Sequence, residues 1–446
     1  SVRKGMENLK PDSCYDSLFL AADSRNKADW ILGINASYAM CKATGFGNNS
    51  LGRVQTPVLA AISRRYRERE NHISSDSWPI YISLQKDGIL FKMRRTQDLP
   101  DKESATMFFQ DCKLTHQAQI TGISHSIKEI LPPDLLNLTQ LQKEANIRYG
   151  YTASEVYDIA QALYEKKLIS YPRTSSRYLT EDVFDSLSPI MARLLSWELF
   201  PAAKGTGGID ISSLSRHVIS AEKANVHHAI IITGIRPGNL SEKEMQVYRL
   251  VAGRMLETFM APCRIETTNV EAVCAAQHFK AEQTRIIEAG WHDVFMRSDM
   301  VPKSGYSVNE LPEVEKSDTL NVCGCNMVHK KQLPVNPFTD AELVEYMEQN
   351  GLGTVSSRTN IIRTLVNRKY IRYSGKYIVP TPKGMFTYET IRGKKIADTS
   401  LTADWEKQLA GLESGMITGQ DFLNRIRTLA KEMTDDIFNT YSTKEE

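Results

Sequence analysis

The chain has 446 residues, of which 41% are hydrophobic and 24% charged, enough apolar material for about three cores at roughly 150 residues per domain. Lys and Arg outnumber Asp and Glu by only 55 to 53, so global charge does not announce a nucleic-acid partner. No apolar run is long enough to cross a bilayer, no N-terminal segment has signal-peptide form, and seven scattered cysteines without a disulfide-like framework suit a reducing cytoplasm.

The first seventy or so residues read as helical. Lys27, Trp30, Ile31, Ile34 and Tyr38 fall near helical spacing, and a second helix begins around Pro57, which fits a first-turn position after Thr56. That helix carries Arg64, Arg65, Arg67 and Arg69, diluted by Glu68 and Glu70; a solvated face and a DNA contact are equally good readings. Around Trp78 the pattern changes to short alternating runs, Ile80–Leu84 and Ile89–Met93, across an Asp87-Gly88 hairpin signal.

After Pro132-Pro133, Thr139 with Gln142 and Thr152 with Glu155 read as capping boxes opening two helices separated by Gly150. The second helix places Val156, Ile159, Ala160 and Leu163 on one face and delivers the chain to Tyr171. From about Pro262 to Pro337 strand-like runs return, including Asn269–Val273 and Thr319–Val322, so the β region is discontinuous. Cys323-Gly324-Cys325 with His329 lacks paired CxxC spacing and reads as strand cysteines. The tail resumes helices, then Asn360–Val366 and Tyr370–Val379 read as a helix and a two-stranded wing. The stretch from Thr354 to Lys376 holds Arg358, Arg363, Arg368, Lys369, Arg372 and Lys376 with no acidic residue, the footprint of a phosphate-binding surface.

Tyr171-Pro172-Arg173-Thr174-Ser175-Ser176 carries the chemistry. A residue before proline is pushed to extended backbone, so Tyr171 projects outward just after a helix, and Arg173 two residues on shares its face. A guanidinium fork beside a tyrosine hydroxyl suits transfer of a phosphodiester to tyrosine. A phenol is almost wholly protonated at neutral pH, so the attack needs help.

This hexapeptide resembles the active-site signature of type IA DNA topoisomerases, Tyr-Pro-Arg-Ser/Thr-Asp-Ser in the topoisomerase III branch. Four further blocks appear in family order: Ala28–Asn35, Gly52–Leu59, His227–Ile230, and Gly351–Thr354 with Ser356–Arg358. Two positions depart from the pattern. Ser175 replaces the usual Asp, which removes a carboxylate from the local network, and Ile232 replaces a proline, which implies a less rigid loop.

The resemblance implies a multidomain α+β fold, a toroidal body with mainly helical gate and tyrosine domains, winged-helix elements and an antiparallel β arch. The implied nesting is a helical gate at 1–76 and 336–446, the arch at 77–127 and 263–335, and the tyrosine domain at 128–262. It implies Tyr171 as nucleophile, Arg173 and His227 as catalytic partners, and Arg53, Gln55, Thr174, Ser176, His228, Ser357 and Arg358 as DNA-binding residues. A role bracing the helix start is equally good for Gln55, DNA contact is favoured over it for Arg53, and Ser356 or Ser357 also reads as a helix cap. The family's magnesium-binding Toprim domain has an Asp-x-Asp-x-Glu cluster that this chain lacks, so Mg2+ is expected only through that domain and no metal ligand is expected here. The chain reads as a fragment beginning just past Toprim, at Ser1-Val2-Arg3-Lys4-Gly5.

The implied activity is ATP-independent cleavage, strand passage and resealing of single-stranded DNA in underwound duplex through a 5'-phosphotyrosine. The isolated fragment is expected to bind single strands as a monomer, without a membrane or nucleotide partner. Two alternatives stand beside it: a tyrosine relaxase, whose metal-binding His-x-His spacing His227-His228 lacks, and a non-catalytic single-strand-binding module.

Overall fold

Small residues at helical spacing create the first packed layer. In α1 (Asp16–Thr44), Ala21, Ala28, Leu32, Ala36 and Met40 are buried, whereas Trp30, Ile34 and Tyr38 face solvent. The computed structural model describes residues 6, 9–45, 47, 49–197, 199–200, 214–224, 227–295 and 304–442; the opening Ser1–Gly5 lies outside them. Helix α2 (Gln55–Glu70) begins two residues before Pro57, which stays in the first turn where its missing N–H costs nothing.

Strands β1 (Ile80–Lys86) and β2 (Ile89–Arg95) meet in a two-residue turn. Asp87 and Gly88 both take positive φ there, 51° and 83°, the turn hand that matches strand twist. Helix α3 (Lys102–Leu114) leads to β3 (Gln117–Ile130), and β4 (Cys263–Cys274), β5 (Gln277–Glu288) and β6 (Thr319–Met327) complete the sheet. It closes in the order β1-β2-β5-β4-β3-β6 as an antiparallel barrel filled by Ile82, Phe91, Met93, Val270 and Phe279. Cys323 and Cys325 lie on β6, while His329 stacks on Trp78 and bonds Asp76.

Between β3 and β4 the chain forms α4 (Leu138–Tyr149), α5 (Ala153–Glu165), several shorter helices and α6 (Glu242–Phe259), which share one core around Leu141, Val156, Leu163 and Met255. Thr152 and Glu155 form the expected capping box on α5. The expected Thr139–Gln142 box does not form. Asn137 caps α4 by accepting the Gln140 N–H at 2.8 Å, which places Thr139 inside the helix. Its hydroxyl donates instead to the Glu348 carboxylate at 3.0 Å, a stronger acceptor than a neutral group.

The tail runs through β7 (Phe338–Thr339), α7 (Asp340–Gln349), α8 (Val355–Asn367), β8 (Ile371–Ser374), β9 (Tyr377–Pro380), α9 (Pro382–Ile391), α10 (Ser400–Glu413) and α11 (Gly419–Ser442). Strands β8, β9 and β7 form a small sheet behind α8, the wing read in the sequence plus one edge strand. Residues from α1, α10 and α11 share a core, and residues of α2 share another with α7, α8 and the wing, so the two ends of the sequence build one helical region. Among the described residues no helix is long and apolar enough to cross a membrane.

Candidate active site

The segment that follows α5 is laid against the His227 segment by backbone hydrogen bonds. Ser170 N–H donates to Ile231 O at 2.8 Å, Thr233 N–H to Leu168 O at 3.1 Å, and the Ser170 hydroxyl to Ala229 O at 3.0 Å. Ile169 and Ile232, both buried, form an antiparallel bridge. This pairing carries His227 to Tyr171: their rings tilt at 43° with centroids 4.5 Å apart. The substituted Ile232 does not leave the loop slack, because its side chain is wholly buried and its N–H, which proline would lack, donates to Met255 Sδ at 3.2 Å.

One face of α5 supports the pair. Tyr164 meets Tyr171 edge to face at 5.4 Å. Arg173 lies over the Tyr157 ring at 5.0 Å and donates from Nη2 to Gln161 Oε1 at 3.2 Å, while its buried Nε has no hydrogen-bond partner among the described residues. Residues 157, 161 and 164 recur at helical spacing, so a single helix face orients both reactive groups.

Thr174 and Ser176 lie beneath this surface instead of on it. Both are nearly fully buried; Thr174 Oγ1 donates to His227 O at 2.9 Å and Ser176 Oγ to Lys223 O at 2.8 Å. Their hydroxyls are consumed in folding the loop, so they support the site and do not face a DNA strand. Ser175, in place of Asp, is exposed and accepts from Asn137 Nδ2 through its backbone oxygen at 3.0 Å. His228 is half-buried, with Nδ1 2.7 Å from Ala229 O.

A second feature is a groove of about 450 Å3 where Arg25, Asp29, Gln55, Thr354, Ser357 and Glu406 meet. Three of the sequence blocks converge there. Arg53 is at its floor, only 6% exposed, with Nε 2.8 Å from Asp29, Nη1 2.9 Å from Glu406 and its guanidinium 4.9 Å above the Trp405 ring. These partners hold Arg53 charged, raising its pKa against burial, and they occupy the fork that the sequence reading offered to DNA. Arg53 therefore ties α1, α2 and α10 together. Gln55 donates to Ser50 O at 3.2 Å and accepts from Arg368 at 2.9 Å.

Ser357 accepts the Thr354 N–H at 2.8 Å, the capping role that its position in α8 predicts. Gly353, at φ +77°, lets the chain turn into this helix; a Cβ there would sit 2.9 Å from Ser357 Oγ and from Ile361. Arg358 turns away from the groove. It is 8% exposed and donates to Thr139 Oγ1 at 3.1 Å and Glu348 at 3.2 Å, and burial lowers its pKa. Direct DNA contact by Arg358 is thus replaced by a contact to the tyrosine-bearing helices.

The DNA topoisomerase family profile matches residues 13–424. The chain belongs to the type IA DNA topoisomerases, in the topoisomerase III-like branch. It is 30% identical to DNA topoisomerase 3 of Bacillus licheniformis over 98% of its length, and 30% identical to the Bacillus subtilis enzyme of that name over 99%. The chain spans 63% and 64% of those two relatives. Its fold matches full-length topoisomerase I from Thermotoga maritima with a TM-score of 0.72 at 22% identity, covering 98% of this chain and 71% of that one.

Some residues of this topoisomerase chain were not singled out in the sequence. Tyr157, Gln161 and Tyr164 are not among the apolar positions that mark α5 in the sequence, yet they position Tyr171 and Arg173. Arg368 was one of a run of six cations that the fold divides: Arg363 pairs with Asp158, while Arg368 reaches Ser50 and Gln55 and, among the described residues, has no carboxylate partner. Trp30, Ile34 and Tyr38, 67%, 49% and 57% exposed, stand on the solvent face of α1, turned away from the face on which Asp29 and Gly33 line the groove. Arg65 and Arg69 of the other basic cluster instead bond Asn336. A cleft of about 1070 Å3 along Arg64 and Arg67 receives none of the proposed site residues.

Proposed function

We propose that this chain supplies the nucleophile and the single-strand groove of a topoisomerase III-like enzyme. Tyr171 Oη attacks a DNA phosphorus, the P–O3' bond breaks, a 5'-phosphotyrosine forms and the departing 3' oxygen takes a proton; resealing is the reverse. No nucleotide is consumed, because the phosphotyrosine keeps the energy of the broken ester. The observation that carries this reading is the arrangement around Tyr171: a histidine ring at 4.5 Å and an arginine with a buried, unspent Nε on a backbone-paired scaffold. His227 is suited to move the phenolic proton, and Arg173 to meet the charge that develops on phosphate.

The strand is held by Arg368, which reaches Gln55 at the edge of the groove, and by the Thr354 end of α8, where a helix start favours phosphate, while the exposed Trp30 ring offers a base a surface to stack on. Among the described residues no three His, Cys, Asp or Glu side chains converge as a metal site, so those groups do not fit magnesium and no step above runs through it. A monomer in a reducing cytoplasm is the setting this reading favours. The deciding experiment is to trap the covalent adduct on single-stranded DNA after joining the chain to a metal-binding Toprim domain: adduct in the parent and none in Tyr171→Phe supports the assignment, and adduct in both overturns it.

A further inference from the structure

The tyrosine-bearing helices meet the helical region along a seam made almost entirely of polar contacts. Arg358 reaches Thr139 and Glu348, Lys143 pairs with Glu345 at 2.9 Å, Gln142 Nε2 donates to Thr359 at 3.0 Å, and Arg363 bonds Ser154 and Asp158. The apolar cores on either side are separate clusters, joined across the seam chiefly by Ala153 and Val355. Parting such a surface exposes little hydrophobic area, so the cost of opening falls on the polar contacts.

At the centre is Asp340, the first residue of α7, only 2% exposed. Its Oδ1 accepts the Ala153 N–H, at the start of α5, at 3.3 Å and the Tyr373 hydroxyl, from β8, at 3.1 Å. Unlike the other carboxylates of the seam, Glu345, Glu348 and Asp158, it has no cation against it among the described residues. The charged group that faces it is Glu155 of α5, itself paired with Lys243 of α6; on its own helix, Glu342 is directed to Arg65 of α2.

We propose that Asp340 is a proton-sensitive latch: its neutral acid holds the tyrosine-bearing helices against the helical region, and its carboxylate loosens that seam. Burial, reinforced by the repulsion from Glu155 and only partly offset by the two donors, pushes Asp340 up from 3.8 to about 6 when the seam is closed. When the seam is open the carboxyl is hydrated and returns toward the ordinary value. The closed form therefore binds the proton more tightly. Closure strengthens as pH falls through 6 toward 4 and weakens as pH rises through that window. This holds whether or not the chain cleaves DNA, and its test uses neither DNA nor metal.

Amide hydrogen exchange at the start of α5, read on the whole chain at matched pH so that intrinsic exchange cancels, measures the seam directly. Asp340→Asn keeps the shape and acceptor of the neutral acid, so the variant is expected to be better protected than the parent at pH 8, with the advantage shrinking roughly tenfold by pH 5. An advantage that does not change with pH, or a variant that is less protected at pH 8, overturns the latch. Should Asp340→Asn fail to fold, Tyr373→Phe reads the same property: removing a donor to the carboxylate is expected to loosen the seam more at pH 8 than at pH 5, and equal loosening at both overturns the proposal.

Discussion

His227 lies against the ring of Tyr171, 4.5 Å between centroids, because the two segments that carry them exchange backbone hydrogen bonds on either side of the buried Ile169–Ile232 bridge. The geometry is set by main chain rather than by contact between the rings. Replacing His227 by Asn or Gln should therefore leave the position of Tyr171 unchanged and lower the rate of adduct formation, by about 10²–10⁴-fold if the ring carries a proton. Single-turnover cleavage by a Toprim-joined form, with near-ultraviolet circular dichroism as the check on structure, measures it.

Arg173→Ala should lower the cleavage rate far more than single-strand affinity, since the unspent Nε awaits charge that appears only during transfer. Gln161→Ala, which removes the group holding Arg173 from the side, is expected to fall in the same direction with a smaller effect. Equal losses in binding and in rate would assign Arg173 to ground-state phosphate binding instead.

Single-stranded DNA should bind this chain in a salt-dependent manner. Arg368→Ala is expected to reduce the slope of log affinity against log salt by roughly 0.7, the value for one phosphate contact on a single strand, and Trp30→Ala to cost about 1–3 kcal/mol without changing that slope. Fluorescence anisotropy over a salt series separates the two. Arg53, already paired twice, should behave differently: Arg53→Ala should lower the melting temperature, through Asp29 left without its cation and Glu406 left with Arg25 alone, before it alters the salt slope.

Thermal stability should also report the contact at Arg358. Arg358→Met leaves Glu348 with the Thr139 hydroxyl but without its cation, a cost of about 1–3 kcal/mol. Calorimetry would detect this as a lower or broadened transition, and a melting curve identical to the parent's would show that the contact contributes nothing.

Much of this arrangement could be read from the sequence where a pattern reports local geometry. Asp87-Gly88 gave its hairpin, Thr152 and Glu155 their cap, and Tyr370–Val379 its wing, because each depends on residues within a few positions. Tyr171 stood out because proline follows it and arginine lies close by. Other features depend on residues far apart in the chain. Nothing near Thr139 announces Glu348, and nothing near Arg53 announces Glu406, so side chains read as a cap and as a DNA contact became parts of the packed interior. The helical stripe of Trp30, Ile34 and Tyr38 was visible as spacing, but spacing does not say which face is buried, and here the alanines on the other side pack closely and take the core.

The closed barrel has a mechanical consequence. Its strands β3 and β4, which carry the chain into and out of the tyrosine-bearing helices, are paired down to Ile130 and Cys263, and at the other end Asp76–Ser77 pairs with Lys330–Lys331. Each junction is thus a double strap whose two strands are zipped together. A single backbone cut near Leu131 would leave both pieces held by the uninterrupted ladder, so a nicked molecule should still migrate as one body under native conditions. Once the polar seam is parted, force applied to the tyrosine-bearing end would reach the helical end through two chain crossings at once, as a lever with a forked arm.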